Sequence, residues 1–274
     1  MALTQLFSRI RPSIVAFGSR LVRSMSDVPP IFPPLIGTGF VVDERGIVCT
    51  NRHVADELQR LPPTCPMAVV FPEVDPKYGQ PLLFRQVLSY NVLQQFSSSG
   101  TFYGELVPDI AFLQIDVSGL PALQFEKRPN ILAMGETIAT AGFAMGTDPL
   151  VVYSKVTQLT PFLRRGIISS VYPYPCPFPH GFTIDIMTQG GESGSPVFSE
   201  NSPDVLGMIH AGFDRTNITI CIPGAILEEA KIEAMKSTRS MDFSQVPSVR
   251  QLLEESAKHE DLSWSTWSSR AQNR

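Results

Sequence analysis

Nine residues of the 274-residue chain, GGESGSPVF (190–198), crowd three glycines and two serines against an apolar run. A serine hydroxyl there is chemically inert near neutral pH unless a base takes its proton. The base in turn works best when a carboxylate fixes its tautomer. The chain holds only four histidines, at 53, 180, 210 and 259. His53 closes the strand-like run GIVCTNRHVA (46–55), and Asp109 heads the apolar run PDIAFLQID (108–116). With Ser193 they give the order base, acid, nucleophile along the chain. Such a set would attack a carbonyl carbon and pass through a covalent intermediate. Read alone, the same nine residues are an ordinary Gly/Ser loop, so the elements around them must decide.

Those elements are short. Apolar runs at 13–17, 39–42, 47–50, 67–71, 110–115, 137–143, 166–171, 182–187, 196–199, 205–209 and 218–222 are rich in β-branched and aromatic residues. The 24 prolines spread along the chain would break long helices repeatedly. The pattern predicts a mostly-β protein with strands enough for two closed barrels or a large sandwich. Helical spacing is confined to 225–236, just after Pro223-Gly224, and to a segment that Ser248 and Gln251 open as a capping box before Leu252 and Leu253.

Several ordered segments resemble the trypsin-like (chymotrypsin-fold) serine peptidases, and most of all the HtrA/DegP branch. They are GTGFVVDERGIVCTNRHVA (37–55), PDIAFLQID (108–116) with LPAL (120–123), GETIATAGFAMG (135–146), RGIIS (165–169) and TIDIMTQGGESGSPVF (183–198). The resemblance covers about residues 10–235. It implies two six-stranded antiparallel β-barrels, the first at about 10–123 and the second at about 130–237. Together they make a peptidase domain over 1–237, with a C-terminal helix and a helical or mobile tail at 238–274. It implies a serine endopeptidase with His53 as base, Asp109 as its orienting acid and Ser193 as nucleophile. The main-chain N–H groups of Gly191 and Ser193 would form the oxyanion hole, Gly191 bringing its peptide close with no Cβ in the way. No metal or organic cofactor is implied, and the partner is a protein or peptide substrate. HtrA proteins usually add a PDZ module, which is not expected here, so the tail, a regulatory partner or a homo-oligomer formed through the N- or C-terminal segments would have to supply regulation.

Two positions depart from that pattern. Glu192 stands where HtrA proteins have Asn and trypsins have an Asp that receives a newly released N-terminus. A carboxylate beside an oxyanion hole is unfavourable unless it turns inward to hydrogen bonds or a cation, which makes this loop a candidate switch. Ser195 stands where many relatives have glycine, though GxSGSP also occurs in glutamyl endopeptidases. His210, in LGMIHAG (206–212), follows Gly207 by three residues rather than two. Strand alternation then takes it off the pocket wall and puts Ile209 there. His210 is expected to support Asp109, where trypsins carry a Ser. A one-residue slip would instead make it a pocket ligand reading Glu or Gln. Met187 lies where trypsin has its pocket Asp, so with Thr188, Ile209 and Gly212 it predicts a medium-sized apolar pocket. Asp185 is read as structural. A catalytically inactive peptide-binding module on the same fold is the competing function.

Composition narrows the rest. A net charge of −4 gives no reason to expect nucleic acid, and no apolar run approaches the ~20 residues of a membrane span. Four scattered cysteines (49, 65, 176, 221) without a C-x-x-C pair argue against zinc and against a disulfide framework. Cys49 and Cys221 read as small buried hydrophobes in a reducing, cytoplasmic setting. The first 26 residues carry four Arg and no acid, which leaves a transit peptide as the alternative to an ordinary first element of the fold. His180, in the Pro-rich YPYPCPFPH, and His259 are expected to be solvent-facing. Trp264 and Trp267 in the Ser-rich tail would dock on a partner or fold back.

Overall fold

The structure is a computed structural model that describes residues 2–20, 34–72, 83–93, 108–128, 131–146, 159–172, 180–213, 215–237 and 246–258. Cys176, His259, Trp264 and Trp267 fall outside them. Twelve strands close into two antiparallel barrels of six. The first orders β1 (Ile14–Ser19), β2 (Leu35–Asp43), β3 (Ile47–Thr50), β6 (Ala111–Ile115), β5 (Leu83–Val92) and β4 (Pro66–Val70) around its circumference. The second orders β10 (Pro196–Ser199), β11 (Val205–Gly212), β12 (Thr219–Pro223), β9 (Gly181–Ile184), β8 (Phe162–Tyr172) and β7 (Thr137–Gly142). The expected chymotrypsin-like architecture is therefore present. Closure leaves no free edge among the described strands.

Two elements, β5 and the helix after β3, were not legible as such in the sequence, while the N-terminal helix is the first element expected there. β5 alternates weakly, with Leu83 and Val87 as its buried residues, and so lacks a strand signature. Helix α1 (Leu3–Ile10) drives Leu6 and Ile10 into the core, so the Arg-rich N-terminal segment begins with an ordinary packed element. Helix α2 (Arg52–Gln59) interrupts the run of strands immediately after β3 and carries His53.

One apolar cluster joins both barrels. It contains Phe40, Phe71 and Phe112 from the first, Phe143, Phe198 and Met208 from the second, and Ile226, Leu227 and Ala230 from helix α3 (Gly224–Ser237). Phe71 and Phe143 stack across the seam with centroids 5.4 Å apart. Each such buried aromatic contributes roughly 1.5–3 kcal/mol by removal from water. Helix α3 adds polar ties to the first barrel: Lys231 Nζ donates to the Val42 carbonyl at 2.6 Å, and Asn91 Nδ2 donates to the Ala234 carbonyl at 2.8 Å. Cys49 and Cys221 are buried in these cores, and burial pushes both thiols far up.

Helix α4 (Val249–Lys258) returns to the first barrel. The Ser118 amide donates to the Pro247 carbonyl and the Val249 amide to the Ser118 carbonyl, while Leu252 packs beside Leu120. Its predicted capping box is formed: the Ser248 amide donates to Gln251 Oε1 at 2.8 Å, and the Gln251 amide to Ser248 Oγ at 3.2 Å.

Candidate active site

Asp109 sits in the turn before β6, only a tenth exposed, and gathers groups from both barrels. Its Oδ2 lies 2.7 Å from His53 Nδ1 and 2.8 Å from His210 Nδ1. Its Oδ1 accepts the His53 main-chain N–H at 2.8 Å, which fills one of the open amides in the first turn of α2. Asn51, just before α2, donates from Nδ2 to the Asp109 carbonyl at 3.0 Å. Burial pushes the Asp109 carboxyl up, but hydrogen bonds from His210 and then His53 outweigh it and hold the group well below the usual carboxylate range. An ionised carboxylate only accepts, so both imidazoles carry their proton on Nδ1. On a neutral His53 ring the lone pair then lies on Nε2. The hydrogen bond to Asp109 raises the His53 pKa above its ordinary value.

His210 reaches Asp109 through a register irregularity. In the β11–β12 ladder Ile209 pairs with Cys221 and Ala211 with Ile220, leaving His210 without an opposing residue. Such a bulge re-aims a side chain out of the sheet. Its ring lies on Asp109 of the other barrel, and His210 is not among the residues that line the neighbouring cavity.

Ser193 lies in the turn between β9 and β10. Its carbonyl accepts the Thr38 amide from β2 at 2.8 Å. Thr38 Oγ1 donates to the Gly191 carbonyl at 2.7 Å and accepts from the Phe143 amide at 3.1 Å. Thr38 thus joins the first barrel to the Gly191–Ser193 loop, a role the sequence did not reveal. Gly37 explains how closely the parts approach. A Cβ added there would meet the Val54 methyls at 2.6 and 2.9 Å and lie 3.3 Å from the Ser193 carbonyl oxygen. The helix bearing His53 and the turn bearing Ser193 therefore close on the same glycine. Gly191 has φ +93°, and a Cβ on it would lie 2.3 Å from the Phe143 oxygen, so this position needs glycine for both conformation and space.

Glu192 points inward. It is 1% exposed, its Oε1 pairs with Arg164 Nη2, and its Oε2 accepts the Gln189 amide at 2.8 Å. Burial raises its pKa, opposed by the Gln189 amide and by Arg164. Arg164 was not singled out in the sequence.

A cavity of about 610 Å³ opens beside Ser193, lined among others by Met187, Thr188, Ile209, Gly212 and Phe213. Met187 and Phe213 expose apolar surface to it, 40% and 54% respectively, whereas Ile209 is buried and shares its side chain with the core of the second barrel. Thr188 Oγ1 would lie 2.0 Å from a Cβ on Gly212, so glycine there keeps that wall open. Arg215 also lines the cavity. Asp185 accepts the Ile167 amide at 2.6 Å and ties β9 to β8. His180, just before β9 and half-buried, donates from its amide to the Tyr172 carbonyl. Among the described residues no His, Cys, Asp and Glu cluster is arranged for a metal, and no helix is long and apolar enough to cross a membrane.

The sequence profile of the trypsin-like peptidase domain matches residues 37–208, more than half of the chain. No curated protein matches in sequence. Among solved structures, a serine endoprotease from Yersinia pestis is 17% identical with a TM-score of 0.56, over 87% of this chain and 68% of that one. Deg5 is 19% identical with a TM-score of 0.51, over 84% and 90%. At such identity these two likenesses speak for the fold.

Proposed function

The chain belongs to the trypsin-like peptidase family, and from that premise we propose that it is a serine endopeptidase acting through Ser193, His53 and Asp109. The observation that carries this reading is the Asp109 carboxylate, which takes both the Nδ1–H and the main-chain N–H of His53. Nε2 of His53 is thereby kept as the basic nitrogen. In the proposed cycle Ser193 Oγ attacks the substrate carbonyl carbon as His53 Nε2 takes its proton. The Gly191 and Ser193 N–H groups receive the negative oxygen, and collapse expels the amine with the proton that His53 returns. Water repeats the sequence to release the acid and free Ser193.

The pocket reading follows from Met187 and Phe213. A medium-sized apolar side chain before the scissile bond fits a cavity whose exposed lining includes the Met187 thioether and the Phe213 ring, beside the polar Gln189 and Arg215. The alternative, Glu or Gln read by His210, has less support because that ring is engaged by Asp109. A fluorophosphonate should label the wild-type protein and leave Ser193→Ala unlabelled. No labelling of the wild type would favour an inactive peptide-binding module. Cleavage of a proteome-derived peptide library then reads the pocket, and a strong Glu or Gln preference would sink the apolar assignment.

A further inference from the structure

Buried carboxylates are rare unless a cation compensates them, because the uncompensated charge costs several kcal/mol. Glu192 is such a group, and it lies between the two residues whose amides are assigned to the proposed oxyanion hole, Gly191 and Ser193. Its cation comes from β8. Arg164 Nη2 pairs with Glu192 Oε1, while Nη1 of the same guanidinium donates to the main-chain carbonyl of Met187. Met187 is the cavity wall, and Gln189, whose amide Glu192 accepts, also lines it. One planar fork therefore grips the oxyanion loop on one side and the pocket floor on the other. A lysine carries the charge but not two fixed, divergent donors.

We propose that Arg164 is the positioning residue that sets the oxyanion loop and the pocket floor together, so that folding itself, through an internal cation, brings this loop into working order. This rests on the peptidase reading of the same site and goes beyond it by naming what holds the loop. The His53–Asp109–His210 cluster is anchored elsewhere, to α2, the turn before β6, and β11. Loss of Arg164 should then dissolve one half of the site and spare the other.

The test compares wild type, Arg164→Gln, Arg164→Lys and the double variant Arg164→Gln/Glu192→Gln, using a peptide substrate and amide hydrogen exchange. Arg164→Gln should lower kcat/KM by about 10²–10³, the cost of losing an oxyanion donor. It should also speed exchange over 187–195 while leaving 35–55 protected. The double variant, with no unpaired buried charge, should recover part of the loss. Arg164→Lys should hold the loop better than Gln but show a raised KM, because the Met187 carbonyl loses its donor. If Arg164→Gln keeps kcat/KM within threefold and the exchange of 187–195 is unchanged, the proposal is overturned. Uniformly faster exchange across the second barrel would overturn it too, making Arg164 a general fold residue. Should Arg164→Gln fail to fold, the double variant and Arg164→Lys decide by the same two readouts. If wild type itself neither cleaves peptides nor labels with a fluorophosphonate, the peptidase reading fails, and the exchange experiment alone still judges the loop.

Discussion

His210, on a strand of the second barrel, donates from Nδ1 to Oδ2 of Asp109, on the first, at 2.8 Å. The same oxygen holds His53, so a hydrogen bond from one barrel helps to seat the imidazole, here the proposed base, carried by the other. Hydrogen bonds to charged groups contribute roughly 1.5–3 kcal/mol. His210→Ala should therefore lower kcat about tenfold or more while leaving the preference before the scissile bond unchanged. His210→Asn, whose amide can stand in for Nδ1–H, should recover most of that loss. Steady-state kinetics on two peptides differing only at that residue check both points, and an altered preference would return His210 to the pocket.

The pH profile follows from His53. It accepts a proton only when neutral, and Asp109 raises its pKa, so kcat/KM should fall toward acid with a midpoint above the ordinary histidine value of ~6.5. Asp109→Asn removes the anion, which should move that midpoint down and cut turnover by up to ~10⁴. Stability carries the opposite signature for the acid. Because Asp109 is held below its unfolded value, its contribution is present above about pH 4 and is lost as pH falls toward the folded pKa. Rate profiles between pH 5 and 9 and melting curves below pH 4 test these two statements.

Thr38 is expected to matter through its hydroxyl. Thr38→Val would leave the Gly191 carbonyl and the Phe143 amide without their shared partner, at roughly 1–3 kcal/mol for each buried group. A lower melting temperature together with a lower kcat should follow, and Thr38→Ser should stay near wild type in both. A Val variant with wild-type turnover would show that the loop does not depend on this tie.

Gly142 and Ser195 should behave as a pair. A Cβ on Gly142 would fall 1.8 Å from Ser195 Oγ, a buried hydroxyl with no hydrogen-bond partner among the described residues. Gly142→Ala should destabilise by about 1–3 kcal/mol, as overpacking does. Together with Ser195→Gly it should cost less than alone, which denaturant midpoints in a double-mutant cycle will read. Additive costs would place the strain elsewhere.

The His53–Asp109 pair and its contact with His210 could be anticipated before any coordinates. His53, Asp109 and Ser193 each stand in a locally distinctive run, and the short apolar segments marked eleven of the twelve strands. The exception, β5, has mixed faces that hide its period. Arg164 was invisible for another reason. It has an identical neighbour, Arg165, and only strand alternation sends one inward to Glu192 and the other outward to Glu200, with more than half of the Arg165 side chain exposed. Alternation also put His210 opposite Ile209, but the bulge that turns it onto Asp109 exists only in the ladder with β12. Thr38 is one residue of Gly-Thr-Gly until the second barrel supplies its partners.

The stacked rings of Phe71 and Phe143, with the helix laid over both barrels, have a consequence for inheritance of the fold. Besides its own interior each half contributes to one shared apolar cluster, so neither can be lost, duplicated or transplanted alone without exposing a wet wall of phenylalanine. Heating should melt the pair in a single calorimetric transition, and a polypeptide cut between them should regain its shape only when both fragments are mixed.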